Sequence, residues 1–126
     1  MAGLFSEYRH SIDAKGRLAM PAKLLKVLGD PFYASVSEDA CINVYTLAEW
    51  EKLEDRVFEK LSGAEERKAR RAFYSMAQDC YPDAQGRIVI KPALREHAGL
   101  DKNVVIAGAG KYAEIWDAAR WDELDL

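Results

Sequence analysis

Asp13-Ala14-Lys15-Gly16-Arg17-Leu18 and Asp83-Ala84-Gln85-Gly86-Arg87-Ile88 are two copies of one short segment, 70 positions apart in a chain of 126 residues. Four of their first five positions are identical. The similarity extends beyond the segments through further aligned pairs: Leu24 with Leu94, Gly29 with Gly99, Tyr45 with Trp116, and Trp50 with Trp121. A unit used twice can build one core by packing about an internal twofold axis. We therefore predict one domain over residues 1–126, made of units 1–50 and 77–126 that connecting helices within 51–76 join.

Each unit is predicted to begin with two short strands joined by a tight turn. Polar and apolar residues alternate from Tyr8 to Asp13, which is typical of a half-buried strand. In the turn, the Asp13 carboxylate is suited to accept hydrogen bonds from nearby backbone N–H groups, and Gly16 is suited to a positive φ. Asp83 and Gly86 shape the turn of the second unit in the same way.

A second strand, a short helix and a β-hairpin follow in each unit. In the first unit we predict a strand over 17–20 with Leu18 and Met20 facing inward, and a helix over 22–28 between Pro21 and Gly29. The predicted hairpin strands are 32–37 with 41–45, and 103–108 with 111–116. The expected fold class is α+β and rich in β-structure.

The connecting helices carry their own start signals. Thr46 and Glu49 form a capping box that starts a helix at Leu47, and its predicted apolar side includes Leu47, Trp50, Leu53, Val57 and Leu61. Ser62 and Glu65 form a second box, which predicts a helix to about Met76. In the second unit Arg120 stands where the box has an acid, so its last helix is predicted to be shorter.

Composition excludes several classes of protein. The net charge of −3 argues against a uniformly basic nucleic-acid binder, yet residues 1–30 carry +2 and 31–66 carry −6. No apolar run reaches the roughly 18 residues that span a bilayer, and the first ten residues lack a secretory signal pattern, so we expect a cytoplasmic protein. Cys41 and Cys80 lack the spacing of a zinc site or disulfide framework and are predicted to be buried thiols.

Four stretches together resemble the MraZ family of bacterial DNA-binding regulators: EYRHSIDAKGR (7–17), LAEWE (47–51), DAQGR (83–87) and LREHAGL (94–100). The resemblance covers nearly the whole chain. It implies two AbrB-like units, related by a pseudo-twofold axis, in a swapped-hairpin or double-psi-like barrel, and assembly into a homo-oligomeric ring. It also implies a sequence-specific transcriptional regulator of the division and cell-wall operon, associated with the nucleoid, that contacts double-stranded DNA through the Asp-x-x-x-Arg loop.

Local charge favours the first copy of the loop for DNA contact. Residues 8–17 carry +2, whereas residues 78–87 carry −1. Because arginine presents a planar fork that fits guanine or phosphate, Arg17 is the candidate for base reading. Lys15 and Arg9 are the candidates for contact with the DNA backbone.

Side-chain chemistry alone leaves a second interpretation open for the two arginines. Arg17 and Arg87 could instead form structural ion pairs with Asp83 and Asp13 across the internal axis. The resemblance favours DNA contact for Arg17, while the weaker charge around Arg87 favours a mainly structural role. Gln85 in place of Lys15 also argues against symmetric use of the two loops.

Other conspicuous residues are assigned to packing or solvent. The basic run over 67–71 is predicted to be a solvated helix face or a subunit contact. His10 and His97 lack a second ligand at metal spacing, so packing or capping roles are predicted and no metal is expected. The three tryptophans, Trp50, Trp116 and Trp121, are predicted to pack in staples and the core.

Three classes of function compete. A regulator that forms rings would read direct repeats, because a ring sets identical loops side by side. The alternative is a ring-forming protein-interaction module without specific DNA binding, which the acidic segment 31–66 weakly supports. An enzyme is not expected: Asp13 and Asp83 could be taken for a carboxylate pair, but each has an arginine four residues on that keeps it ionised. No cofactor, small-molecule substrate or membrane partner is predicted.

Overall fold

The computed structural model describes residues 3–126, which form eight strands and five helices. The strands are β1 (Glu7–Ser11), β2 (Arg17–Ala19), β3 (Phe32–Val36), β4 (Ile42–Tyr45), β5 (Ala77–Cys80), β6 (Arg87–Val89), β7 (Asn103–Gly108) and β8 (Ala113–Asp117). The helices are α1 (Ala22–Leu28), α2 (Leu47–Phe58), α3 (Gly63–Ser75), α4 (Pro92–His97) and α5 (Ala118–Asp122). The α+β prediction is confirmed. Residues 1 and 2, part of the predicted first unit, lie outside the described residues.

The larger sheet is symmetric in its strand order. Its six antiparallel strands run β1-β7-β8-β4-β3-β5. The counterparts in the two repeats are β1 and β5, β3 and β7, and β4 and β8, so exchanging them gives the same order read from the opposite edge of the sheet. The first strand of each repeat pairs with the hairpin of the other: β1 with β7, and β5 with β3. The hairpins themselves meet where β4 pairs with β8. The two repeats are therefore interlocked, and neither sheet half is built from one repeat alone.

The two repeated segments form a ribbon of their own. Strands β2 and β6 pair antiparallel, with Leu18 opposite Ile88, Arg17 opposite Val89, and Arg87 opposite Ala19. This register sends the loops that precede β2 and β6 to opposite ends of the ribbon. It also brings the helix that follows each strand to the loop of the other repeat.

Apolar side chains of the ribbon, α1, α4 and the large sheet share one core. Leu18, Leu24, Phe32 and Leu94 are all buried within it. Leu18 and Met20 are buried and Ala19 is exposed, as predicted from the alternation in this segment. Burial of these side chains is the main favourable contribution to folding and fixes the register of the ribbon.

Neither of the two predicted capping boxes is complete among the described residues. Thr46 Oγ1 accepts a hydrogen bond from the backbone N–H of Glu49 at 3.2 Å, which confirms the threonine half of the first box. The Glu49 carboxylate does not return this bond within residues 3–126 and pairs with Lys52 Nζ at 3.3 Å. The Ser62 side chain makes no capping bond to any residue that the structure describes, although α3 does start after it. The reason is local: Gly63 adopts a φ of +58°, which departs from the backbone path that presents N–H groups to a capping hydroxyl.

The apolar side of α2 is also narrower than predicted. Trp50 is buried and stacks on Tyr33 and Phe73, with ring centroids 5.6 and 5.1 Å apart. Leu47, by contrast, is 52% exposed, and Leu61, also predicted on this side, lies beyond the end of the helix at Phe58. Helix α5 has five residues and α2 has twelve, so the predicted shortening of the last helix is confirmed.

The remaining packing predictions agree with the structure. Cys41 and Cys80 are free and buried, and burial raises the pKa of each thiol to about 12. Trp116 is buried and lies edge-on to Trp121 at 6.2 Å between ring centroids. His97 Nε2 lies 3.1 Å from the carbonyl oxygen of Ser37, which fits a packing role.

Candidate nucleic-acid interface

The loop that precedes β2 is organised by the side chain of Asp13. Its Oδ1 accepts hydrogen bonds from the backbone N–H groups of Lys15 and Arg17, each at 2.9 Å, and its Oδ2 accepts one from Arg17 Nε at 2.8 Å. Gly16 closes the turn with a φ of +79° and donates its N–H to the Asp13 carbonyl at 2.9 Å. These hydrogen bonds lower the pKa of Asp13, and the bond from the backbone N–H of Arg17 is the largest cause. We call residues 13–17 the first loop.

The loop over residues 83–87, the second loop, repeats this geometry. Asp83 accepts from the N–H groups of Gln85 and Arg87 at 2.9 Å and from Arg87 Nε at 2.8 Å. Gly86 adopts a φ of +74°. The ion pairs are therefore formed within each loop, and the alternative pairing across the internal axis is wrong. The antiparallel register explains this, because it places the two loops at opposite ends of the ribbon.

The same placement bears on the enzyme alternative. A carboxylate pair that shares one proton requires two acids in direct proximity. Asp13 and Asp83 lie in separate loops, and each accepts hydrogen bonds that lower its pKa. Neither side chain is arranged as a general acid.

A difference between the loops appears at the third position. Gln85 Oε1 accepts a hydrogen bond from Arg87 Nη2 at 3.2 Å. The side chain of Lys15, at the matching position of the first loop, carries no hydrogen-bond acceptor. Within residues 3–126 the terminal nitrogens of Arg17 make no hydrogen bond, while its Nε is held by Asp13. Arg17 and Arg87 have nearly equal side-chain exposures, 32% and 30%, so the loops differ in chemistry rather than in access.

Arg9 lies outside the loop, on β1, and its charge is already compensated. Its Nη2 lies 2.6 Å from Asp122 Oδ1 and 3.3 Å from Glu7 Oε2, and its Nη1 lies 3.3 Å from Asp122 Oδ2. These carboxylates raise the pKa of Arg9, with the Asp122 hydrogen bond as the largest cause. Sequence reasoning missed Asp122 because it lies 113 positions away.

Sequence reasoning also missed Arg95, a cation beside the first loop. A Cβ atom placed on Gly16 would lie 3.8 Å from Arg95 Nη1 of α4. At the second loop the neighbour is apolar, because a Cβ on Gly86 would lie 3.0 Å from Leu25 Cδ1 of α1. Leu25 and Arg95 align when the repeats are superposed at a shift of 70, so the sequence holds the signal for this difference.

The basic run on α3 does not belong to either loop. Arg67, Lys68 and Arg71 are exposed, while Arg70 pairs with Glu66 at 3.1 Å and covers the Phe58 ring at 4.4 Å. This exposure agrees with the predicted solvated helix face or subunit contact, and the choice between the two stays a prediction. None of the helices formed by residues 3–126 is both long and apolar enough to span a membrane.

Comparison with known proteins gives a consistent result. A family model described as "MraZ protein, putative antitoxin-like" matches residues 4–72 and again residues 73–125. A protein of Heliobacterium modesticaldum named Transcriptional regulator MraZ is 47% identical over 118 residues, 93% of this chain and 82% of that one. Proteins of the same name from Natranaerobius thermophilus and Symbiobacterium thermophilum are each 44% identical, over 92% and 93% of this chain and 82% and 86% of their own lengths.

Proposed function

The chain belongs to the MraZ family, and from that premise we propose that it is a transcriptional regulator that binds double-stranded DNA through its first loop. Its relatives carry the name of a transcriptional regulator, which is not an enzyme class. We propose that the protein is cytoplasmic, associates with the nucleoid, and regulates transcription from the promoter of the division and cell-wall operon.

One observation carries the assignment to the first loop. Arg17 is held at Nε by Asp13, and its terminal nitrogens have no partner among the described residues. A guanidinium fixed in this way keeps two parallel N–H donors for guanine O6 and N7 or for a phosphate, and loses little rotamer entropy on binding. In Arg87, by contrast, the terminal nitrogen Nη2 already donates a hydrogen bond to Gln85 Oε1.

The proposed roles follow from this geometry. Arg17 reads a base, and Lys15 contacts the adjacent phosphate backbone as a flexible point charge. Arg87 is structural and holds the second loop together. Arg9 stays a prediction for backbone contact, and binding would require it to share its charge between DNA and Asp122.

We further propose that the chain assembles into a ring and reads direct repeats. The family resemblance implies the ring, and head-to-tail assembly would present identical first loops at regular intervals. Each loop contact is then individually weak, and several act together through effective concentration. The interlocked strand order, in which each repeat completes the other's sheet, supports an AbrB-like swapped-hairpin description of one domain with units 1–50 and 77–126.

A salt-titrated gel shift tests the proposal. The probes are the duplex upstream of the chain's own gene, a scrambled duplex of equal composition, and a version of the first in which the spacing between repeats is altered. We expect preferential binding to the native duplex, a linear fall of log affinity with log salt, and a large loss on altered spacing. Equal binding to native and scrambled duplexes would favour the protein-interaction module, and indifference to spacing would contradict the ring.

A further inference from the structure

A cation from the second repeat lies against the loop of the first. Because β2 and β6 pair antiparallel, the end of β6 lies beside the start of β2, and α4 follows β6 directly. This places Arg95 of α4 next to Gly16, with Nη1 3.8 Å from a Cβ built on that glycine. The approach depends on the crossed arrangement of the repeats, not on neighbouring sequence.

Among residues 3–126, no ion pair compensates the charge of Arg95. Its guanidinium donates to two carbonyl oxygens at long range, from Nε to Leu100 at 3.5 Å and from Nη2 to Asp101 at 3.4 Å. No carboxylate lies within 4.0 Å of it in the part of the chain that the structure describes, although Glu96 and Asp101 line the same depression. Arg9, in contrast, has two carboxylates within 3.3 Å.

The second loop has an apolar neighbour in place of this cation. At the position that matches Arg95, Leu25 packs on Gly86 and is only partly exposed. The first loop therefore contains the cations Lys15 and Arg17 and has Arg95 beside it, whereas the matching positions at the second loop are Gln85, Arg87 and Leu25. Two differences between the repeats, Lys15 against Gln85 and Arg95 against Leu25, act in one direction, since each favours an anion at the first loop.

We propose that Arg95 contacts a DNA phosphate next to the one that Lys15 contacts, so that the interface combines the loop of one repeat with the helix of the other. This inference rests on the proposed function. Arginine suits the role because its planar guanidinium remains charged and can form two parallel bonds with phosphate oxygens. Its present bonds to carbonyl oxygens are long, so little is lost when the guanidinium turns to a phosphate.

The test compares Arg95→Gln, Arg95→Lys and Arg67→Gln in full-length protein. Arg67 lies exposed on α3 and its loss changes the net charge by the same amount. Binding is measured by fluorescence anisotropy on the upstream duplex and on its scrambled version over a range of salt. We expect Arg95→Gln to bind both duplexes about tenfold more weakly at low salt, with a salt slope reduced by about 0.9, as for one lost phosphate contact. Arg95→Lys should recover most of the slope, and Arg67→Gln should match the wild type.

The outcomes separate this inference from the proposed function. If the wild-type protein prefers the upstream duplex and Arg95→Gln keeps its affinity and slope, the inference alone fails. It also fails if Arg67→Gln loses as much as Arg95→Gln. If the wild-type protein binds neither duplex, both fail. Thermal unfolding checks each variant, and Arg95→Leu, which copies the residue of the other repeat, replaces Arg95→Gln should the latter be unstable.

Discussion

Gln85 accepts a hydrogen bond from Arg87 at 3.2 Å, and this bond is what the first loop lacks. The two loops otherwise share the same bonds to their aspartates, at the same distances. With lysine in place of glutamine at this one position, the terminal N–H donors of the loop arginine have no partner among the described residues, and the loop gains one positive charge.

Substitutions at Lys15 should separate these two effects. Lys15→Met removes the charge, whereas Lys15→Gln removes it and also supplies an acceptor for Arg17, as Gln85 does for Arg87. We expect DNA affinity to fall in the order wild type, Lys15→Met, Lys15→Gln. In both variants the slope of log affinity against log salt concentration should be smaller in magnitude by about 0.9. Anisotropy titrations on the upstream duplex measure this order. Equal affinities for the two variants would show that the hydrogen bond has no influence on binding.

The carboxylates of Asp13 and Asp83 should make the free energy of unfolding depend on pH in the acidic range. The backbone N–H of Arg87, then its side chain, lowers the pKa of Asp83 below its usual value of 3.8. The resulting stabilisation is complete above the unfolded-state pKa and is lost as pH falls through the lower folded-state pKa. Wild type should therefore unfold at a higher temperature than Asp83→Asn at neutral pH, and the gap should close in strong acid. A gap that stays constant from neutral pH into strong acid would rule out this linkage.

The two caps should respond differently to the same truncation. Thr46→Ala should lower the free energy of unfolding by about 1 kcal/mol, because it removes the acceptor of the Glu49 N–H. Ser62→Ala should cost only a few tenths of a kcal/mol, since the Ser62 side chain caps nothing. Urea denaturation of both variants measures the difference. A larger cost for Ser62→Ala than for Thr46→Ala would contradict the finding that the Ser62 side chain makes no capping bond among the described residues.

Local features were predictable from the sequence where they depend on neighbouring residues. The turn glycines, the Thr46 cap and the burial of Leu18 all follow from spacing within a few positions. The Ser62 prediction failed because the pattern ignores the backbone of Gly63, whose positive φ changes the geometry of the cap.

Features that depend on distant pairing were not predictable in this way. The sequence shows two repeats but not that β1 joins β7 and β5 joins β3, because antiparallel pairing has no signature in either strand alone. The Arg9 contact with Asp122 and the position of Arg95 beside Gly16 both follow from that crossed pairing. Asp13 and Arg17 are four positions apart, and this spacing agrees with the ion pair that forms inside the first loop, whereas the alternative that paired each arginine with the aspartate of the other repeat is wrong.

The most direct test of the account compares Arg17→Ala with Arg87→Ala. Each variant removes one guanidinium and one matched ion pair at 2.8 Å, so both should lose similar thermal stability. We predict that Arg17→Ala weakens binding to the upstream duplex by about tenfold to a hundredfold, as expected for a base-reading arginine, while Arg87→Ala binds as the wild type does. Equal losses of affinity in the two variants, or a loss in Arg87→Ala alone, would contradict the claim that the first loop is the one that contacts DNA.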